Sequence, residues 1–313
     1  MAFDVYGTHS MIWEGDCKLT DDLFTNQLYH DSNFLLYVNS SDVAPTNVTN
    51  VIINGIAKKE IVLKDNRPFY CPKDFSAGNV SYTHNYSMET GYDDCAGWES
   101  IALPFDVKTI THETAGELSP FGSNNTQGKK FWLYALSSRG FVEASAIEAN
   151  TPYIISMPNN SHYGKDYNIP GKVTFSATNA VVRRTDGADL KSVMYEGATF
   201  CPNYVKTDKS GAYYLLNVTN DYYTYYGAEE PGSMFISNYR GACPFEGMLV
   251  VNKSHGNSPY FTISFAKGNI TGIQEFVSAN SKDVWYTLNG RKLQNRPTQK
   301  GIYIHNDQKV VIR

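Results

Sequence analysis

Phe34-Leu35-Leu36-Tyr37-Val38 is a short apolar run that lies between Asn33 and Asn39. Runs of aliphatic and aromatic residues bounded by Asn, Asp, Gly or Pro are typical of β-strands. The one candidate helix, 133–150, is interrupted by Ser137-Ser138-Arg139-Gly140 and fits two short strands equally well. Strand-like runs recur along the chain at 51–53, 60–63, 153–155, 248–251 and 260–265. The sequence therefore predicts an all-β, sandwich-like fold.

The composition excludes several classes of protein. The 313 residues are 42% hydrophobic, 14% aromatic and 19% charged, which excludes a largely disordered chain. Lys and Arg number 27 against 31 Asp and Glu, so the formal net charge is −4 and we expect no nucleic-acid partner. No apolar stretch reaches the ~18–20 residues that span a bilayer, so we expect no transmembrane segment. The opening residues lack a signal peptide and fit a native or a truncated start equally well.

Two pairs of segments resemble each other and occur in the same order. Pro68–Pro72 resembles Ala198–Pro202, and Ala102–Phe105 resembles Ala242–Phe245. The pattern favours two degenerate copies of one β-module, the second carrying an insertion of the kind that surface loops tolerate. The alternative is a chance match between short strands that begin or end at Pro.

The C-terminal segment Lys282–Arg313 differs from the rest of the chain. It carries seven basic residues against Asp283 and Asp307, a net charge of 7 − 2 = +5. Asn289-Gly290 lies between two strand-like runs, and this dipeptide is a strong hairpin signal because both residues tolerate positive φ. We therefore expect a small antiparallel unit. The predicted organisation is an N-terminal strand-rich segment (1–65), a β-sandwich region (66–272) and a C-terminal β domain (273–313).

This C-terminal pattern carries a family resemblance. Trp285–Lys292, Lys300–Ile304 and Lys309–Arg313 together resemble the C-terminal tail domain of secreted and surface proteins of Bacteroides and Prevotella. They are also similar to the C-terminal sorting domain of the type IX secretion pathway. The sequence departs from the family at Asn306-Asp307-Gln308, where a Gly is usual in the turn.

Three segments upstream, Arg67–Phe75, Trp98–Val107 and Asn150–Ile155, are similar to recurrent motifs in uncharacterised large surface proteins of the same bacteria. The resemblance implies a secreted or cell-surface location on the bacterial outer surface. It implies no catalytic residue, because proteins that share such modules need not share an activity.

Residues that could carry chemistry are scattered. The seven His residues show no metal-ligand spacing, and the five Cys residues form neither a zinc pattern nor a disulfide framework, although one disulfide is possible. We therefore expect no enzyme activity, no metal and no cofactor. Most cysteines, and Trp98, Trp132 and Trp285, are expected in the core. The carboxylates that could serve a glycan hydrolase are Glu99, Glu113, Glu196 and the pair Asp93-Asp94.

A tyrosine cluster is the best candidate for binding. Its members are Tyr213, Tyr214, Tyr222, Tyr223, Tyr225 and Tyr226. Exposed Tyr side chains can stack on sugars or anchor a protein, but a core edge built from cross-strand Tyr pairs explains the same pattern. The sequence favours a non-catalytic adhesion module for a glycan or a host surface protein. The alternatives are a glycan-processing hydrolase and a passive structural stalk.

Overall fold

The computed structural model confirms an all-β chain. It describes residues 9–25, 33–88, 97–159, 168–187, 190–195, 197–218, 231–251 and 260–263, and the shorter stretches 285–287, 292–293, 297–298, 301–305 and 308–312. These residues form 23 strands and two short 3-10 helices, Asp21–Phe24 and Ser41–Val43. No helix in this part of the chain is long and apolar enough to cross a membrane. The chain divides into two compact units, Met1–Asn269 and Ile270–Arg313.

The first strands of the larger unit pair in parallel. They are β1 (Ser10–Trp13), β2 (Leu35–Val38) and β3 (Val51–Ile53), and β4 (Ile56–Ala57) then returns antiparallel to β3. Asn54 and Gly55 make that turn with φ of 49° and 79°, the positive angles that a tight hairpin needs. Because strand residues alternate between faces, Leu36 and Val38 pack into a small cluster of their own. Leu35 and Tyr37 pack into the main core.

A long antiparallel pair forms the centre of the main sheet. It joins β6 (Phe75–Tyr86) to β13 (Gly171–Val182) through eleven residue pairs. The buried alternation shifts by one residue at Gly78 and Asn79 in β6 and at Thr178 and Asn179 in β13, where Asn179 has a φ of 48°. On the far side of this shift the even-numbered residues of β6 turn towards the core, so His84 lies between Tyr82 and Tyr86 on that face.

Shorter strands extend the main sheet to thirteen strands with both parallel and antiparallel pairs. The added strands are β5 (Ile61–Leu63), β7 (Glu99–Ile101), β8 (Thr109–His112), β9 (Gly116–Pro120), β10 (Lys129–Ser137), β11 (Gly140–Glu143) and β12 (Tyr153–Ser156). Strand β10 pairs in parallel with β9 through its first residues and antiparallel with β11 and β12 through the rest, so it links two parts of the sheet.

A second, antiparallel sheet of six strands packs against this one. Phe141 of β11 contacts Phe200 and Phe235 of the second sheet, with ring centroids 5.8 Å and 6.3 Å apart. Trp98 and Trp132 are buried, as the sequence predicted. The strands of the second sheet are β14 (Val193–Tyr195), β15 (Ala198–Asn203), β16 (Tyr214–Leu216), β17 (Met234–Ser237), β18 (Glu246–Val251) and β19 (Tyr260–Thr262).

The smaller unit is a four-stranded antiparallel sheet. Its order is β21-β20-β22-β23, formed by β20 (Trp285–Thr287), β21 (Lys292–Leu293), β22 (Gly301–His305) and β23 (Gln308–Ile312). Trp285 pairs with Leu293 across the predicted hairpin, whose Asn289-Gly290 turn lies outside the described residues. The expected antiparallel unit is therefore confirmed.

Residues in and next to the similar segments meet in the core. The amide of Phe69 donates to the carbonyl of Tyr204 (2.9 Å), and the amide of Ala102 donates to the carbonyl of Phe245 (2.8 Å). The ring of Phe245 lies 6.2 Å from that of Phe69 and 4.7 Å from that of Tyr82. The two Pro-Phe segments thus help to join the sheets.

The backbone of Gly232 passes close to the backbone of Trp98, so a substitution of this glycine tests the close approach of the two segments. Gly232 has a φ of 71°, and a Cβ atom there would lie 2.2 Å from the amide nitrogen of Trp98. We predict that Gly232→Ala lowers the free energy of unfolding by roughly 2–4 kcal/mol. An alanine is strained at this positive φ, and its Cβ atom would overlap with the backbone of Trp98. The matched control is Gly78→Ala, where a Cβ would have no neighbour within 4 Å. Equal denaturation midpoints for the two variants would contradict this close approach.

Candidate functional site

A small polar cleft at the end of β6 holds a cluster of half-buried charged side chains. We call it the His84 cleft. Its volume is about 40 Å³, and its charged lining residues are Asp65, His84, Glu99, Arg240 and Glu246. The first three come from the main sheet and its loops, and the last two from the second sheet, so the cleft forms only where the sheets meet.

An imidazole held between two carboxylates lies at the centre of this cleft. The Nδ1 atom of His84 lies 2.8 Å from Oδ2 of Asp65, and its Nε2 atom lies 2.9 Å from Oε2 of Glu99. The hydroxyl of Tyr82 donates to the other oxygen of Asp65 (2.7 Å). Burial by itself lowers the pKa of His84, but the hydrogen bonds and charges of the two carboxylates outweigh it and raise the pKa to about 10. His84 is therefore an imidazolium at neutral pH.

The opposite wall holds a second ion pair. Nη1 of Arg240 donates to Oε2 of Glu246 (2.9 Å), which also accepts the amide of Cys243 (2.9 Å). Phe245, between these residues, has a φ of 69°, an uncommon angle for an aromatic residue. Its amide and carbonyl are both hydrogen-bonded and its ring is buried, so packing holds the strained turn in place.

This arrangement is poorly suited to acid–base or nucleophilic chemistry. Both nitrogens of His84 already bond to carboxylates, so the ring has no lone pair for a substrate proton. Burial raises the pKa of the Cys243 thiol, which keeps it protonated and unreactive. The volume of about 40 Å³ holds little more than water, whereas ligand pockets measure roughly 300–1,000 Å³.

The carboxylates named from the sequence take different positions. Glu99 lines the His84 cleft, whereas Oε1 of Glu113 accepts the amide of Lys172 (2.9 Å). Glu196 and the pair Asp93-Asp94 lie outside the described residues. Asp65 and Glu99 bind opposite sides of one imidazole, so a sugar cannot enter between them as a glycosidase requires. The described part of the chain contains no group of three side chains able to hold a metal ion.

The predicted tyrosine cluster is only partly described. Tyr213 and Tyr214 are buried rather than exposed. The hydroxyl of Tyr213 bonds to Thr207 and to the carbonyl of Asp208, and the ring of Tyr214 lies 4.9 Å from that of Phe261. These two tyrosines therefore cover the second sheet instead of offering rings to a ligand. Tyr222, Tyr223, Tyr225 and Tyr226 lie outside the described residues.

The described chain on either side of the stretch 219–230 is well bonded, and it lines the His84 cleft on the N-terminal side. Val218, the last described residue before it, lines the cleft. After it, the carbonyl of Pro231 accepts the amide of Gly97 (2.8 Å), and the amide of Gly232 donates to the carbonyl of Asn217 (2.7 Å). Both ends of the tyrosine-rich stretch are thus attached to well-bonded backbone.

The cysteines agree only in part with the sequence-based expectation. Cys71 is buried, with its pKa raised by burial to about 12, whereas Cys201 and Cys243 are half-buried and Cys17 is exposed. All four are free thiols in the structure, and Cys95 lies outside the described residues.

The His84 network was not found from the sequence. Its three members lie 19 and 15 residues apart, and no motif links them. The sequence contains one indication of this network. His84 alternates with Tyr82 and Tyr86 on the face of a strand that is otherwise apolar, and a charged ring on such a face needs buried partners.

The raised pKa of His84 predicts alkaline sensitivity. Because folding holds the proton more tightly than the unfolded chain, whose histidine pKa is near 6.5, this contribution to stability is complete below pH 6.5 and is lost as the pH rises towards about 10. We predict that His84→Gln lowers stability at pH 7 and flattens this decline, measured by urea denaturation from pH 6 to 10.

The control for that experiment is His112→Gln. His112 is buried in the same sheet, but its Nδ1 atom accepts the amides of Thr114 and Ala115 and its Nε2 atom lies 3.0 Å from the carbonyl of Pro170. No carboxylate takes part in these bonds. The control should therefore keep the alkaline decline of the wild type, and a decline that His84→Gln leaves unchanged would show that folding does not raise the pKa of His84.

Comparison with known proteins reveals no relative of this chain. No protein-family model matches it, and neither a curated protein nor a solved structure is significantly similar to it. The function is therefore inferred from the geometry and the sequence alone.

Proposed function

We propose that this protein is a non-catalytic binding module that recognises a glycan or a protein. The observation that carries the proposal is that hydrogen bonds hold the described residues on either side of the tyrosine-rich stretch 219–230 in place. Oδ1 of Asn217, a fully buried residue, accepts the amides of Ser233 (2.9 Å) and Met234 (3.0 Å). Segments that connect strands of a rigid β-scaffold are where recognition residues tend to lie.

The composition of this stretch supports the proposal. Tyr222, Tyr223, Tyr225 and Tyr226 fall within five residues, next to Thr224 and Gly227. Tyr with small polar neighbours is the composition that binding loops favour, because Tyr supplies a large amphipathic surface at low entropic cost. The formal net charge of −4 is consistent with a partner other than nucleic acid.

The alternatives receive less support. A hydrolase needs two carboxylates with a substrate between them, and the carboxylates of the His84 cleft already share one imidazole. A passive stalk needs no tyrosine-rich segment. We further propose a secreted or cell-surface location, which rests on the resemblance of the C-terminal segment to bacterial sorting domains.

Binding to arrays of glycans and extracellular-matrix proteins tests the proposal. We predict that Tyr223→Ala with Tyr225→Ala weakens the affinity for a bound array component by about 10–100-fold, equivalent to roughly 1–3 kcal/mol, and leaves the melting temperature unchanged. The matched control is Tyr214→Ala, which removes a buried ring and should lower stability by roughly 3–5 kcal/mol without altering the affinity of the folded protein. A destabilised double variant with wild-type affinity would refute the role of these tyrosines.

A further inference from the structure

A larger cleft lies elsewhere on the same unit, and we call it the open cleft. Its volume is about 550 Å³, within the range of roughly 300–1,000 Å³ that is usual for small-molecule sites. Its charged lining residues are Asp74, Asp106, Lys108, Glu148, Arg183 and Lys191. It shares no lining residue with the His84 cleft.

Backbone hydrogen bonds hold the walls of the open cleft together. The amide of Val107 donates to the carbonyl of Ile147 (3.0 Å), and the amide of Lys191 donates to that of Asn150 (3.1 Å). Oδ1 of Asp106 accepts the amide of Ala149 (2.8 Å). Five separate segments of the chain, around residues 74, 106, 148, 183 and 191, thus meet at this cleft.

The side chain of Asn150 holds one wall of the open cleft in place through two hydrogen bonds. Asn150 is 1% exposed and has a φ of 56°. Its Nδ2 donates to the carbonyl of Arg184 (2.7 Å), and its Oδ1 accepts the hydroxyl of Tyr204 (2.7 Å). The cleft is therefore preorganised, which reduces the entropic cost of binding a ligand.

The charges of the open cleft balance. Three cations face three anions, and two pairs are already formed: Lys191 with Glu148 at 2.5 Å and Arg183 with Asp74 at 2.8 Å. These four side chains are 39% exposed or more, and ion pairs that exposed contribute little to stability, so they can exchange partners readily. A ligand with a net charge gains no overall attraction from such a site.

We propose that the open cleft binds a neutral oligosaccharide. A hydroxyl group donates to a carboxylate and accepts from an ammonium or guanidinium group, so a polyol can satisfy both kinds of charged group that line the cleft. This inference rests on the proposed binding function and assigns the ligand class and a second site.

Calorimetric titration with neutral gluco-, manno- and xylo-oligosaccharides, and with oligogalacturonate as the acidic comparison, tests the inference. The test variant is Lys108→Met with Glu148→Met, which removes one donor and one acceptor, keeps the net charge and changes only exposed side chains. We expect at least one neutral oligosaccharide to bind the wild type, and the variant to bind it at least tenfold more weakly at an unchanged melting temperature. The control is Lys172→Met with Glu60→Met, an exposed pair outside the cleft, which should bind as the wild type does.

Three results would overturn the inference: no neutral oligosaccharide binds the wild type, the test variant binds as tightly as the control, or oligogalacturonate binds more tightly than the neutral sugars. The Tyr223→Ala, Tyr225→Ala variant separates this failure from failure of the proposed function. Binding that depends on the two tyrosines but not on Lys108 and Glu148 rejects the open cleft and leaves the binding module standing. Absence of any sugar or protein ligand for the wild type rejects both.

Discussion

The antiparallel pairing of β6 with β13 is the interaction on which the rest of the larger unit depends. Its eleven residue pairs form the longest ladder in the described chain. β4 and β5 pair with β6, and β8 pairs with β13, so the N-terminal parallel strands and the later strands attach to opposite sides of one ladder. The shift in alternation at Asn79 and Asn179 lets both ends of the ladder turn apolar side chains towards the core.

That same shift explains why a charged group lies in the interior. With the alternation moved by one residue, His84 takes a core-facing position, where an unpaired charge would be very costly. Asp65 and Glu99 compensate for it from two other elements, and Arg240 with Glu246 adds a second pair. The network is half-buried, so its ion pairs contribute little net stability, but removing one partner leaves a poorly solvated charge and is destabilising.

The charged side chains of the two clefts are similar in type but differ in whether they bond to one another or remain available to a ligand. In the His84 cleft the charged groups bond to one another around a volume of about 40 Å³, so little remains for a ligand. In the open cleft the pairs are exposed and the volume is about 550 Å³, so solvent or a ligand can replace each contact. Burial rather than residue type decides whether a charge is structural or available for binding, because exposure to water lowers the cost of exchanging partners.

The sequence by itself determined the all-β class, the short strands such as β2 and β12, the burial of Trp98 and Trp132 and the antiparallel C-terminal sheet. These features depend on local alternation and turn residues, which a sequence displays directly. The parallel pairing of β1 to β3, the burial of Tyr213 and Tyr214 and the meeting of Asp65, His84 and Glu99 were decided only by the tertiary structure. The alternation around a tyrosine is the same whether its face of the sheet is covered or exposed, so the sequence does not show the burial of Tyr213 and Tyr214. Asp65 and Glu99 lie 19 and 15 residues from His84, and they approach it only through the register of the sheet, which depends on strands distant in sequence.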